Sequence, residues 1–279
     1  MSLLALAAAA ALQPEAEPLA VPAGYRLVWS DEFSQGGLPD RRRWAYDTDY
    51  NARGWHNGER QYYAARRSRN ARVQGGRLTI EAHRETLDRR RFADWGGQAY
   101  TSARLVTRGR ARWTYGFFEI RAKLPCGRGV WPAIWMLADG AGARWPDAGE
   151  IDIMEHVGHD PGVVHQTVHT AAFNHVRGTQ RAAQARVPDA CGAFHAYQLD
   201  WTRERIRMGI DGRTVFTFAR SENPAEWPFD GAQYLILNVA VGGSWGGAQG
   251  IDDAALPARM EVDYVRVWQA PPAGAAPRR

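Results

Sequence analysis

The sequence predicts an all-β fold: a sandwich, a barrel or a jelly roll. Short runs with period-two alternation recur from about Pro22 to Gln269, and Gly, Pro and Asp-Gly turn signals punctuate them. Beyond the N-terminal leader, no stretch carries apolar residues at helical spacing over an ordinary helix length.

The elements follow in order. Arg77-Leu78-Thr79-Ile80-Glu81-Ala82 alternates after the turn signal Gly75-Gly76, and Phe118 to Leu124 alternates so that Phe118, Ile120, Ala122 and Leu124 share a face. Glu204 to Ile210 places Ile206, Met208 and Ile210 together. Asp211-Gly212 and Thr214 to Phe218 follow, which is a strong hairpin signal. Met260 to Trp268 is the last strand. With 279 residues and no internal repeat, the chain fits one large domain over 21–270.

At the ends, Leu3 to Leu12 is an Ala/Leu run too short to span a bilayer. It resembles the apolar part of a secretory signal peptide without the basic start, so 1–20 is expected to be a signal peptide or a disordered leader. The Pro- and Ala-rich residues 271–279 are expected to be a disordered tail. No other segment has transmembrane character, and the expected location is secreted or periplasmic.

The formal charge of +5 raises nucleic acid as a partner. Lys123 is the sole lysine, and the arginine excess alongside abundant alanine reads as genomic base composition. Arg41-Arg42-Arg43, Arg66-Arg67 and Arg89-Arg90-Arg91 read as solvated loops, so no nucleic-acid and no membrane partner is expected. The 12 tryptophans exceed what a core of this size ordinarily needs, which divides them between core packing and a surface that stacks flat apolar rings. Cys126 and Cys191 have no CxxC partners, which argues against zinc and leaves their bonding open.

The segment that carries chemistry is Gly149-Glu150-Ile151-Asp152-Ile153-Met154-Glu155-His156. Alternation puts Glu150 and Asp152 on one face and sends Glu155 to the other. A one-residue β-bulge around Ile153-Met154 returns Glu155 to their face, while Ile151 and one bulge residue fill the core. Three carboxylates on one face repel, so stability alone does not select them. A wet acidic face or a calcium site are the bland alternatives. Two glutamates about 13 Å apart at Cα can lean inward to the roughly 5–5.5 Å carboxyl separation of a retaining glycosidase. One carboxylate would attack the anomeric carbon while the other protonates the leaving oxygen. Asp152 supplies charge between them. The strand's direction does not say which glutamate is which.

This segment matches E-x-D-x-x-E, and with its surroundings the chain resembles glycoside hydrolase family 16 in its bulged, laminarinase-like form. Leu27 to Phe33 is similar to that family's opening strand and Asn57 to Tyr63 to its N-x-E-x-Q-x-Y segment. Gly127 to Leu137 is similar to its tryptophan strand, and Leu235 to Trp245 and Val262 to Val267 to its closing strands. The resemblance spans Tyr25 to Gln269. It implies a β-jelly roll of two curved antiparallel sheets with a concave substrate cleft, Glu150 as nucleophile, Glu155 as general acid/base and Asp152 as the assisting carboxylate. Trp131 and Trp135, four positions apart on one strand face, are core aromatics or, beside a carboxylate cleft, sugar platforms. Arg104 and Asn57 resemble residues that hydrogen-bond sugar hydroxyls. Trp145, His169, Asn238 and Trp245 are further substrate-binding candidates, each with a structural alternative. Glu32, Asp263 and a backbone oxygen near Gly76 resemble a structural calcium site away from the cleft. Catalysis is expected to need no cofactor.

The expected activity is endo-hydrolysis of β-1,3-glucan of laminarin type by a monomer. Mixed-linked β-1,3-1,4-glucan, a galactan, and transglycosylation share the chemistry. A non-catalytic glucan-binding protein on the same fold is the reading from another class; binding needs the tryptophans but not two matched glutamates.

Overall fold

The computed structural model describes residues 18–272. The expected leader therefore lies outside the described residues up to position 17, and the expected tail lies outside them from position 273. Pro18 and Leu19 belong to the folded body: Leu19 is buried, and its N–H donates to the Gly212 carbonyl at 2.7 Å.

Among the described residues the chain forms strands and three short 3-10 turns. The strands are β1 (Arg26–Asp31), β2 (Ala45–Tyr46), β3 (Gln61–Tyr63), β4 (Ala71–Gln74), β5 (Arg77–Arg84), β6 (Tyr100–Ser102), β7 (Arg104–Val106), β8 (Gly116–Lys123) and β9 (Val130–Ala138). They continue with β10 (Glu150–His156), β11 (Val163–His169), β12 (Arg181–Arg186), β13 (His195–Trp201), β14 (Arg205–Ile210), β15 (Arg213–Ala219), β16 (Gln233–Val241) and β17 (Ala258–Gln269). A ten-stranded sheet runs β15-β14-β13-β8-β17-β5-β6-β3, with β1 on β17 and β4 on β5. A seven-stranded sheet runs β12-β11-β10-β9-β16-β7-β2. The fold is the expected jelly roll, antiparallel except for the parallel pair β3–β6.

The core fills the space between the sheets. Phe118, Ile120 and Ala122 of β8, Ile206 and Met208 of β14 and Val262 of β17 meet Ile134, Met136, Ile151, Leu235 and Leu237 from the other sheet. Each fully buried side chain of this size contributes about 1.5–3 kcal/mol. The predicted hairpin forms at Asp211-Gly212, where both residues have positive φ (50° and 77°), as a two-residue turn matched to strand twist requires. Trp44, Trp55, Trp113, Trp201 and Trp227 are buried, so much of the tryptophan excess is core packing.

One arginine group departs from the solvated-loop expectation. Arg67 forks onto Glu85, with Nη2 donating to Oε2 at 2.9 Å, because Glu85 is held at the end of β5 with little water to satisfy it. Cys126 and Cys191 form a disulfide with Cα atoms 5.8 Å apart, joining the β8–β9 loop to the loop before β13.

Candidate active site

The site is built on β10. Its pairing slips between Asp152 and Met154 against β9, and between Asp152 and Glu155 against β11. This is the bulge the acidic motif predicts, with one difference. Ile153 and Met154 are both fully buried in the core, so neither bulge residue faces the cleft. Glu150 lies opposite Leu137 and His169, and Glu155 opposite Ala133 and His165. The glutamates therefore stand four partner steps apart on both sides, about 13 Å along the sheet, with Asp152 between them. Gly149 sets the entry to the strand. It has φ +84°, and a Cβ there would meet the Phe229 ring at 2.7 Å.

Glu150 and Glu155 are half-buried, and Asp152 is only 2 % exposed. Burial and the neighbouring Asp152 push the Glu150 carboxyl well above the carboxylate range. Burial and Glu155 do the same to Asp152. Burial, then the charge of Glu150, raise Glu155 to about 7. Three carboxyls so placed cannot all ionise near neutral pH, so the trio retains a proton. Donors are assigned to individual members. The Trp145 indole N–H donates to Glu150 Oε2. The Trp131 indole N–H donates to Glu155 Oε1 at 3.1 Å. His169 Nε2 lies 3.3 Å from Asp152 Oδ2.

The predicted binding residues fall into three groups. Trp131, Trp135, Trp145, Trp245 and His169 gather around the trio. Trp131 and Trp245 meet edge to face at 5.3 Å, and Trp135 sits opposite Asp152 on the same sheet face. Arg104 and Asn238 lie on this face but are engaged with protein. The Arg104 guanidinium is sandwiched between the Trp55 and Trp135 rings at 5.0 and 4.7 Å, with Asp47 3.0 Å from its Nε. Asn238 accepts from the Trp135 indole at 2.7 Å and donates to the Tyr63 hydroxyl at 3.1 Å, so both ends of its amide orient aromatics. Asn57 is exposed with φ 59°, and its carbonyl accepts from Ser244 N at 2.7 Å, tying two loops together.

The calcium set fits a divalent cation poorly. Arg266 forks onto Glu32 at 2.9 and 2.8 Å, and Arg121 Nη1 meets Asp263 at 2.6 Å. Gly76 lies in the β4–β5 turn. Each carboxylate charge is already matched by a guanidinium, and no chemical step is assigned to a metal.

Three residues at the site were not picked out from sequence. His165 stands opposite Glu155 with its ring edge-on to Trp245 at 4.8 Å. The alternation His165-Gln166-Thr167-Val168-His169 would have put it on the face of His169. The His175 ring lies 5.0 Å from that of Trp145, tilted by 37°, from a 3-10 turn beyond β11, and no local pattern signals that contact. Glu59 accepts from Gln61 Nε2 at 2.8 Å, and burial raises its carboxyl. An acid inside an otherwise polar-aromatic motif was the available signal.

Residues 58–266 match the family description "Glycosyl hydrolases family 16". A beta-glucanase from Rhodothermus marinus is 54% identical over 254 residues, covering 88% of this chain and 85% of that protein. Among solved structures, SCLam, a non-specific endo-beta-1,3(4)-glucanase from family GH16, superposes with TM-score 0.88 at 53% identity, covering 92% of this chain and 96% of that one. The laminarinase from Rhodothermus marinus gives 0.81 at 53%, covering 88% and 97%.

Proposed function

The chain belongs to glycosyl hydrolases family 16, and from that premise we propose that Glu150, Asp152 and Glu155 carry retaining hydrolysis of internal β-1,3-glucan linkages. The protein is a glycoside hydrolase of the endo-β-glucanase type, with a polysaccharide substrate. One observation carries the site assignment: the bulge in β10 puts two glutamates four steps apart on one face, with an aspartate between and the second glutamate near pKa 7.

The first step requires the trio's retained proton on Glu155, against the burial and the Asp152 charge that also raise Glu150; ionised Glu150 then attacks the anomeric carbon, and Glu155 delivers its proton to the departing glycosidic oxygen. The product is a glycosyl ester on Glu150 and a shortened glucan with a free hydroxyl. Esterification removes the Glu150 charge, which lowers the Glu155 pKa and makes it a base. Glu155 then takes a proton from water, whose oxygen attacks the anomeric carbon and releases Glu150. The Trp145 N–H favours the anionic form of Glu150. Asp152, between the glutamates, meets His169 Nε2 at 3.3 Å, a contact that orients its carboxyl within the trio. Trp131, Trp135 and Trp245 offer faces for the apolar side of glucose rings.

The similarity to a non-specific endo-beta-1,3(4)-glucanase supports tolerance of mixed-linked glucan as a second substrate. We also propose that the protein acts outside the cytoplasm, as a monomer. The disulfide supports an oxidising compartment, and no helix among the described residues is long and apolar enough to cross a membrane. The test is reducing-sugar release from laminarin, lichenan and agarose by wild type and Glu150→Ala. Release from laminarin that disappears in the variant is expected. Wild type that binds laminarin without cutting any of the three refutes the hydrolase reading.

A further inference from the structure

The bulge that aligns the glutamates leaves a structural question: what holds it at this register. Across β11, Asp152 pairs with Thr167 and Glu155 with His165, so Gln166 alone faces the two bulge residues Ile153 and Met154. Gln166 points into the core and is fully buried. Its Nε2 donates to the Ile153 carbonyl at 2.9 Å and to the Gly209 carbonyl on β14 of the opposite sheet at 3.3 Å. Both partners are acceptors, so only the NH₂ end of the amide fits there.

Gly209 is itself constrained. A Cβ would lie 2.2 Å from the Arg213 carbonyl, and β14 slips its register against β15 between Met208 and Gly209. One amide thus joins two irregularities, one in each sheet, across the core. The choice of glutamine has a disadvantage, because its Oε1 is buried without a hydrogen-bond partner. Methionine would fill similar volume without that orphan. A core that retains the amide is retaining its donor.

We propose that Gln166 is a positioning residue for the reaction: by anchoring the Ile153 carbonyl to the opposite sheet, it fixes the bulge and with it the reach of Glu155 toward the leaving oxygen. The proposal rests on the hydrolase reading above. Burial of Ile153 and Met154 already keeps Glu155 on the cleft face, so loss of the amide loosens the acid's placement and leaves the fold in place. A misplacement of about 1 Å costs roughly 100-fold in rate.

The experiment compares Q166M with wild type on laminarin and on dinitrophenyl β-laminaribioside, whose leaving group departs without a proton. The expected result is a loss in kcat of roughly 10- to 100-fold on laminarin with the aryl-glycoside glycosylation rate within about threefold of wild type. Equal losses on both substrates, or no loss on laminarin, overturn the proposal. If Q166M does not fold, the isosteric Q166E takes its place. Its protonated carboxyl donates one bond, to the Ile153 carbonyl, and its carboxylate donates none, so its laminarin rate relative to wild type should fall as pH rises. A ratio that does not change with pH overturns the proposal. Wild type inactive on both substrates refutes the hydrolase reading instead, which separates the two failures.

Discussion

Replacing Glu155 by glutamine should stabilise the protein at alkaline pH while removing its activity. Glu155 has an ordinary pKa of 4.5 and is raised to about 7 in the fold by burial and by Glu150. The folded state therefore binds this proton more tightly than the unfolded chain. That contribution is fully present below about pH 4.5 and is lost as pH climbs through about 7, where the folded protein must hold a carboxylate in a poor environment. A rise from 4.5 to about 7 corresponds to about 3 kcal/mol at roughly 1.4 kcal/mol per pH unit. Glutamine keeps the shape and the acceptor for the Trp131 N–H but carries no charge. At pH 8, E155Q should gain about 3 kcal/mol, or about 6–10 °C in Tm for a domain of this size. At pH 5 the gain should be below about 1 kcal/mol, because wild type is largely protonated there. Calorimetry of both proteins at the two pH values reads this directly. Hydrolysis of laminarin should fall by about 10²–10⁴-fold at every pH. A Tm difference that is equal at pH 5 and pH 8, or that favours wild type at pH 8, refutes the reasoning about this carboxyl.

Three further outcomes are expected. Trp131→Phe removes the N–H that stabilises ionised Glu155, so the alkaline limb of the kcat/KM profile should move upward in pH, with roughly tenfold lower activity; a downward move contradicts the assignment. Replacing Cys126 and Cys191 by alanine opens a cross-link spanning 65 residues; about 4 kcal/mol of stability and about 10 °C in Tm should be lost, a loss that thiol reduction of wild type should reproduce. Burial pushes the Glu85 carboxyl up, but hydrogen bonds from Arg67 and Thr101 overcome this and hold it at about 2. Arg67→Met should therefore cost about 1–3 kcal/mol above pH 5, and urea midpoints for the two proteins should converge as pH falls from about 4.5 toward 2.

The strand pattern and the acidic motif were legible because both are local. Alternation over Phe118 to Leu124 and Ile206 to Ile210 fixes which residues face the core, and the same rule exposes the conflict at Glu155 that only a bulge resolves. The chemistry also constrained the reading, since repelling carboxylates on one face demand a use. What local pattern could not supply was the partner of each polar group. Arg104 and Asn238 were candidate sugar ligands, but their protein contacts were not legible: Arg104 lies between Trp55 and Trp135 beside Asp47, and Asn238 bonds Trp135 and Tyr63. Glu32 and Asp263 read as calcium donors, but Arg266 and Arg121 hold them. His165, His175 and Gln166 acquire their roles only when β11 lies against β10 and the two sheets close. Local sequence pattern is enough for the period of each strand, the identity of the acids and the need for a bulge. The tertiary structure decided which donors the acids receive, which arginines neutralise which carboxylates, and what pins the bulge. Those pairings join residues far apart in the chain, and no short-range periodicity encodes them.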